Sequence, residues 1–276
     1  MDDFYSKKEA LYTWKTFCEN VKHIEIGDGI TSIGRYTFSE CVNLESITIP
    51  DSVTEIGDSA FQNCKTLTSI NIPSSVTNIG RDAFALCSNL IQSENGVSYV
   101  DRWVIGCDTS VTSVFLRSDT IGIGNYAFIG CSSLTSLTIP DCIKSIGAGA
   151  FAFCDNLKNI NIPDSVIRIG EDALSGCSLQ FQLDNGVSYF DNWAFWGVEE
   201  DIVLRDGTVG ICDRAFAYST IRSITLPCTL KAIGASAFAN CGNPEVYFDG
   251  TKEEWEQIHI EPEGNADILS LVKFLK

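Results

Sequence analysis

Cysteines are the residues of this chain whose spacing comes closest to a chemical pattern. Cysteine pairs can form disulfides, hold zinc or carry out redox chemistry, and each use needs its own spacing. Seven of the 12 recur at one interval, in two series: Cys18, Cys41, Cys64, Cys87, and then Cys131, Cys154, Cys177. No Cys-x-x-Cys pair or Cys/His cluster accompanies them. A thiol that recurs at one position is typical of a small buried hydrophobe, so we expect free buried thiols, although equivalent positions in adjacent repeats can lie within disulfide reach.

The other residues that catalysis needs are scarce or show no pattern. His23 and His259 are the only histidines and lie at opposite ends of the chain, so no Ser/His/Asp or Cys/His set can form around both. Carboxylates are numerous, but no spacing singles out a general acid and base. We therefore expect no enzyme, no catalytic residue and no cofactor.

Acidic residues also accompany two Asn-Gly segments, residues 94–101 and 184–191. Asn-Gly between alternating apolar residues predicts a β-hairpin. A calcium loop would use the acidic residues of these segments, which are Glu94, Asp101, Asp184 and Asp191. Because no Asp-x-Asp-x-Asp-Gly spacing is present, turn chemistry is the favoured interpretation and no metal site is expected.

The elements that position these residues form a repeat. Residues 67–87 read L-x-x-I-x-I-P, V-x-x-I-G and A-F-x-x-C, and the frame returns with variants at 44–64, 134–154, 157–177 and 221–241. Such self-similarity predicts a solenoid, in which each coil buries its apolar face against its neighbours. The first part predicts a strand ended by proline, the glycine permits a tight bend or a positive φ, and the third part predicts one helical turn that buries Phe and Cys.

This frame resembles the leucine-rich repeat proteins of the BspA type from about Cys18 to Phe248. The resemblance implies an α/β-type repeat solenoid, a right-handed leucine-rich-repeat coil with one parallel strand per repeat, short helical turns and the two hairpin insertions. It also implies a non-catalytic protein-binding or adhesion module of a bacterial surface or secreted protein, and therefore an extracellular or cell-surface location. A structural spacer that displays other domains and an intracellular scaffold remain open alternatives.

Composition limits the partners. The formal net charge is −17 and the basic residues are scattered, which disfavours nucleic acid and anionic membrane surfaces. The apolar runs are too short for a membrane helix, and residues 1–5 do not begin a secretory signal. We expect a monomer that binds a protein or a host-surface ligand.

The outward positions of the predicted strands form a stripe of small polar residues that is the first candidate for ligand binding. Its candidate members are Ser46, Thr48, Ser69, Asn71, Ser113, Phe115, Ser136, Thr138, Asn159, Asn161, Asp201, Val203, Ser223 and Thr225. Small polar ladders also suit any exposed sheet, and no single member is distinguished from that use. Trp103, Trp193 and Trp196 near the hairpins are a second candidate, with packing in the core as the alternative.

Three segments are predicted along the chain. An N-terminal cap covers residues 1–20, the solenoid covers residues 21–250 in three blocks of about ninety residues, and a C-terminal cap covers residues 251–276. The C-terminal cap begins with a capping box, Thr251 as N-cap and Glu254 three positions later. Caps are needed because an open solenoid end exposes apolar surface and strand edges.

Overall fold

The computed structural model describes residues 16–265 and 271–276. Most of the predicted N-terminal cap lies outside these residues, and of that segment residues 16–20 are helical. The division of the chain into two caps and a solenoid stays a prediction. The described residues that follow this helical stretch form a stack of coils built from short strands and turns, as the repeat predicts.

Two sets of parallel strands and two hairpins make up the coils. The Ile-x-Ile part of the repeat gives β1 His23–Glu25, β3 Ser46–Thr48, β9 Ser113–Phe115, β11 Ser136–Thr138, β17 Asp201–Val203, β19 Ser223–Pro227, β21 Glu245–Asp249 and, from the C-terminal segment, β23 Lys273–Phe274. The Ile-Gly part gives β2 Ser32–Ile33, β4 Glu55–Ile56, β5 Asn78–Ile79, β10 Gly122–Ile123, β12 Ser145–Ile146, β13 Arg168–Ile169, β18 Gly210–Ile211, β20 Ala232–Ile233 and, again at the C-terminus, β22 His259–Ile260. The hairpins give β6 Gln92–Glu94, β7 Val97–Val100 and β8 Trp103–Cys107, then β14 Gln182–Asp184, β15 Val187–Phe190 and β16 Trp193–Gly197.

Both predicted hairpins are confirmed. Asn95 and Gly96 have φ of 51° and 81°, and Asn185 and Gly186 have φ of 47° and 74°, as a two-residue turn with two positive φ values requires. A third strand, β8 or β16, follows each hairpin. It pairs on one side with the hairpin and on the other, in parallel, with the Ile-Gly strand β10 or β18. The hairpins therefore divide the solenoid into a first block before β6, a second block between them and a third block after β16.

The turn that follows each Ile-Gly strand differs from the predicted helical turn. Successive turns are closed by i to i−3 hydrogen bonds, such as Gln62 N–H to Ser59 O at 3.1 Å and Cys64 N–H to Phe61 O at 3.1 Å. Ser59 and Asn63 have positive φ, and equivalent positions recur along the chain. Left-handed residues at these positions redirect the chain within five residues, which a helical turn would not do.

The repeated glycine of the Ile-Gly part also has a different role from the one predicted. Gly57 and Gly80 are not among the residues with positive φ. A Cβ on Gly57 would lie 2.7 Å from the backbone nitrogen of Arg35 in the preceding coil. Glycine is required here because adjacent backbones approach too closely for a side chain.

Phenylalanine and cysteine of the Ala-Phe-x-x-Cys part fill the interior, as predicted. Phe38, Phe61 and Phe84 stack in successive coils with ring centroids 5.4 and 5.3 Å apart, and Phe128 and Phe151 stack at 5.0 Å. Aromatic contacts at this spacing add to the apolar area that each coil buries against the next. The repeated Phe thus forms stacks within the core, beside the Leu, Ile, Val and Cys side chains that each coil also buries.

The prediction of free thiols is wrong for one pair and holds for the other cysteines. Cys18 and Cys41 form a disulfide with their Cα atoms 4.1 Å apart, because adjacent coils bring equivalent positions within bridging reach. The ten other cysteines are free, and most of them are buried or half-buried. The pKa of Cys212 is raised well above its ordinary value because burial penalises the thiolate.

Residues in or next to the Ile-Gly strands join the three blocks at one place, which we call the block junction: Thr77, Ser145, Arg168, Asp213 and Glu261. The Ser145 hydroxyl donates to Thr77 O at 2.5 Å, and the Thr77 hydroxyl donates to Glu261 Oε1 at 3.2 Å. Arg168 Nη2 lies 2.8 Å from Asp213 Oδ2, and the two side chains are only 13% and 8% exposed. First, second and third blocks therefore contact one another through a buried ion pair and its polar neighbours.

The C-terminal segment continues both sets of strands. The capping box of the helix Lys252–Trp255 is confirmed, since Thr251 Oγ1 accepts from Glu254 N–H and Glu254 Oε2 accepts from Thr251 N–H. Beyond the helix, β22 pairs with β20 and β23 pairs with β21. Among residues 16–265 and 271–276, no helix is long and apolar enough to cross a bilayer.

Candidate binding surface

The predicted stripe is solvent-accessible along its whole length. Ser46, Ser223 and Thr225 are half-buried, and the other candidate members are exposed. The intervening residues point inward, as in β9, where Val114 is 4% exposed and Phe115 is 81% exposed. This alternation is the pattern of a strand with one buried face.

The structure divides the stripe into three sections, whereas the sequence predicted one continuous ladder. The first section is the pair β1–β3, the second is the pair β9–β11 extended by a bridge from Ser136 to Asn159, and the third is the sheet β17–β19–β21–β23. Ser69 and Asn71 are exposed but lie outside any strand. Each break lies where a hairpin enters the chain.

At each break an aspartate side chain accepts a main-chain hydrogen bond in place of the missing strand. Asp101, in the turn between β7 and β8, accepts the Ile72 N–H at 3.0 Å, and Asp191, in the turn between β15 and β16, accepts the Ile162 N–H at 3.2 Å. In both cases a carboxylate takes the hydrogen bond that the next strand of a ladder would have taken. These two acidic residues of the hairpins therefore bind main chain, in agreement with turn chemistry rather than a calcium loop.

One member of the second section is held by the neighbouring coil. The Asn161 side chain accepts from Ile139 N–H and donates to Ile139 O, both at 3.2 Å. Residues 159–161 form only one bridge with β11, so this amide replaces missing ladder bonds. Asn161 thus has a structural role that its place in the stripe did not reveal.

The three sections differ in charge. In the third, Arg222 pairs with Asp201 and Lys273 lies 2.6 Å from Glu245, so the pKa of each carboxyl group is lowered by hydrogen bonding to its cation. In the first, the His23 ring lies 2.8 Å from the Ser46 hydroxyl. Strands β9 and β11 of the second section hold no charged residue and include Phe115, whereas β1 holds Glu25 and the strands of the third section hold Asp201, Glu245 and Lys273. The second section is therefore the part of the stripe whose strands are uncharged, and an aromatic ring projects from it.

Two of the three tryptophans proposed as binding residues belong to the core. Trp103 and Trp193 are 1% and 2% exposed, and their rings occupy the space where Gly122 and Gly210 would carry a Cβ. Glycine at the start of β10 and β18 is the sequence signal for this packing, because the large ring of the preceding coil needs that space. Trp196 alone is exposed, at 50%.

The described part of the chain offers little chemistry beyond binding. Within residues 16–265 and 271–276, no group of three or more His, Cys, Asp and Glu side chains is arranged to hold a metal ion. The most buried charged side chains are those of the block junction, where burial raises the pKa of Asp213 and the nearby Arg168 charge offsets part of that rise. These charged groups bind one another.

Comparison with known proteins gives one match that covers most of the chain. A family model described as "BspA type Leucine rich repeat region" matches residues 11–134 and 121–245 in six copies. None of the curated proteins searched matches the chain.

Several solved structures are similar. A leucine rich cell surface protein from Faecalibacterium prausnitzii A2-165 is 28% identical, with 89% of this chain and 65% of that chain covered and a TM-score of 0.38. A leucine-rich repeat protein from Bacteroides ovatus ATCC 8483 is 25% identical, with 94% and 62% covered and a TM-score of 0.30. The pneumococcal vaccine antigen PcpA is 19% identical, with 92% and 66% covered and a TM-score of 0.37. This chain thus spans less than two thirds of the length of each, and the family assignment depends on the family model.

Proposed function

Because this chain belongs to the BspA-type leucine-rich repeat family, we propose that it is a non-catalytic, monomeric protein-binding module whose ligand docks on the second section of the stripe. Its ligand would be a protein or another host-surface molecule, and its place would be the surface or surroundings of a bacterial cell. Membership in the family and a bacterial cell-surface protein among the similar structures support this proposal.

The observation that carries the choice of surface is the exposure of Phe115. This ring is 81% exposed on a regular strand, beside the uncharged side chains of Thr138 and Ser136 in the next strand. An aromatic side chain on an otherwise small, uncharged surface can be desolvated by a partner without breaking an ion pair, which is how aromatic anchors contribute to interfaces. In the third section the equivalent approach would have to compete with the Asp201–Arg222 and Glu245–Lys273 pairs.

A binding experiment tests the proposal. The purified chain is measured against a panel of immobilised extracellular-matrix proteins and glycans, and any ligand found is then tested against Phe115→Ser and Thr138→Lys. Both variants should weaken binding at least tenfold, because each disturbs the centre of the contact, while the free energy of unfolding stays within about 0.5 kcal/mol of the parent.

A matched control lies in the same coil. Ser132 is exposed on the turn that follows Cys131, outside the stripe, so Ser132→Lys introduces the same charge elsewhere on that coil. Ser132→Lys should bind as the parent does. Normal binding by Phe115→Ser and Thr138→Lys, or equal loss in all three variants, would remove the stripe from consideration.

A further inference from the structure

The two hairpins have the same strand pairing and share the run Asn-Gly-Val-Ser-Tyr, but their outward faces differ. In the second hairpin an apolar patch is exposed, which we call the second-hairpin patch: Phe181 at 38%, Leu183 at 71%, Trp196 at 50% and Val198 at 64%. Equivalent positions of the first hairpin hold Ile91, Ser93, Gly106 and Asp108. Phe181 packs against Phe190 and Phe195, but the first hairpin shows that the fold does not need exposed apolar side chains at the positions of Leu183, Trp196 and Val198.

The centre of the patch is one row of residues across the three strands. Leu183 pairs with Ser188, and Ser188 pairs with Trp196. The two large side chains cover the serine, which is only 4% exposed, whereas Ser98 in the same row of the first hairpin is half-buried beside smaller neighbours. Leu183 and Trp196 therefore form a contiguous apolar surface over Ser188.

The patch lies at a free strand edge. β14 is the first strand of its six-stranded sheet, with β15 on one side only. Because the turn at Asn185 and Gly186 has two residues, Asp184 and Val187 form the hydrogen-bonded pair that closes it, and Leu183 belongs to the next, non-hydrogen-bonded pair. The N–H and C=O of Leu183 consequently point away from the hairpin and can bond an added strand.

The charge at the tip of the second hairpin determines which kind of added strand it favours. The stem of Glu199 lies against Gly186, and Asp184 precedes the turn. Neither carboxylate has an ion-pair partner within the described residues, whereas Glu94 of the first hairpin lies 2.8 Å from Arg117. A second copy of this chain, with its net charge of −17, would place like charges together at this edge. A segment with basic residues would instead complement them.

We propose that the second hairpin binds an extended segment of a partner protein in which apolar and basic residues alternate, added as a strand to the β14 edge. Apolar residues of that segment pack on Leu183, the edge member of the row Leu183, Ser188 and Trp196, and its basic residues lie near Asp184 and Glu199. This surface is separate from the stripe, and the proposal does not depend on the function proposed for the stripe.

The test uses a fluorescein-labelled peptide of seven residues that alternates lysine and valine, measured by fluorescence anisotropy with the full chain. The double variant Leu183→Ser/Trp196→Gly copies the first hairpin's residues and should bind at least tenfold more weakly. Glu199→Lys should also weaken binding, and it keeps the proposal testable if the double variant fails to fold. Phe115→Ser in the stripe should bind as the parent does.

Two further peptides define the mode of binding. The same peptide with alternate amides N-methylated should lose at least tenfold in affinity, because it cannot form the strand's hydrogen bonds. A peptide that alternates glutamate and valine should bind at least tenfold more weakly than the lysine peptide. The proposal is overturned by absent binding to the parent, by unchanged binding to the double variant or to Glu199→Lys, by indifference to N-methylation or charge, or by sedimentation showing a dimer that the double variant abolishes.

Discussion

Replacement of Arg168 by methionine tests the block junction most directly. In the parent, Arg168 Nη2 and Nε lie 2.8 and 3.1 Å from Asp213 Oδ2, and both side chains are almost fully removed from water. Methionine keeps much of the apolar stem but leaves the Asp213 carboxylate without its cation. Removing one partner of a buried ion pair typically costs about 3–5 kcal/mol.

The structure narrows that range. Asp213 Oδ1 loses only the longer bond from Arg168 Nε, at 3.4 Å, and keeps the hydrogen bond from Ala235 N–H at 2.8 Å, so the lower end of the range is expected. Protonation of Asp213 limits the cost of leaving its charge unpaired. The carboxyl group has an ordinary pKa of 3.8, and protonating it at pH 7 costs about 1.4 kcal/mol per pH unit above that value, or roughly 4 kcal/mol in all. Arg168→Met should therefore lower the free energy of unfolding by about 3–4 kcal/mol.

The pKa of Asp213 determines in which direction the stability difference between parent and variant changes with pH. Burial already raises the pKa of Asp213 in the folded parent, and loss of the Arg168 charge raises it further. A raised folded-state pKa means that the folded state favours the protonated acid, so the penalty is absent below the unfolded value of 3.8 and grows as pH rises toward the folded-state pKa. The stability difference between parent and variant should accordingly shrink as pH falls from 7 toward 4.

The assay is urea unfolding at several pH values, followed by tryptophan fluorescence and by far-UV circular dichroism. Trp103 and Trp193 are buried and report the core, and coincidence of the two signals checks that unfolding is two-state. The matched variant Arg168→Met/Asp213→Asn removes the unpaired charge and should recover more than half of the loss. A loss below 1 kcal/mol at pH 7, or a loss that does not change with pH, would refute the reasoning.

Three shorter predictions concern the rest of the molecule. With a thiol reagent at pH 8, the exposed Cys228 should react at once and the buried Cys212, with its raised pKa, only after unfolding; comparable native rates would contradict the burial of Cys212. Gly80→Ala should lower the free energy of unfolding by about 1–3 kcal/mol, because its Cβ would overlap the backbone of the preceding coil, while Gly27→Ala, where a Cβ has open space, should have little effect; equal urea midpoints would be inconsistent with this. Asn161→Ala should cost about 1–2 kcal/mol through its two lost hydrogen bonds to the main chain, and an unchanged melt would show that these bonds contribute nothing.

Features that depend on neighbouring residues or on a single coil could be predicted from the sequence. The Asn-Gly hairpins, the capping box at Thr251 and the buried Phe and Cys of each coil follow from local turn chemistry and from the repeat. The glycines were located correctly, but their close contact with the preceding backbone depends on the distance between coils, which a repeat pattern does not contain. For Trp103 the sequence left a binding role and core packing both open for the same reason, although Gly122 in the next coil was a usable signal for the core.

Features that depend on several coils could not be predicted. Contact between Thr77 and Glu261 follows from the way the blocks pack together, to which small offsets in every coil contribute. The breaks in the stripe depend on hairpin placement, and the amide of Asn161 cannot be told from a ligand-binding asparagine by its position alone. The candidate surface was therefore located from the strand pattern, while its division into sections required the structure.

The block junction also limits how the number of coils in this protein can change. An ordinary solenoid can gain or lose a coil at low cost, since each coil contacts only its neighbours. Here the contacts of Thr77 with Ser145 and Glu261 span 68 and 184 residues. Duplication of one coil in the second block would shift one side of the junction by a strand spacing of about 4.8 Å and separate these partners. Gain or loss of a coil by recombination between repeats should therefore be tolerated only outside the stretch between Thr77 and Glu261.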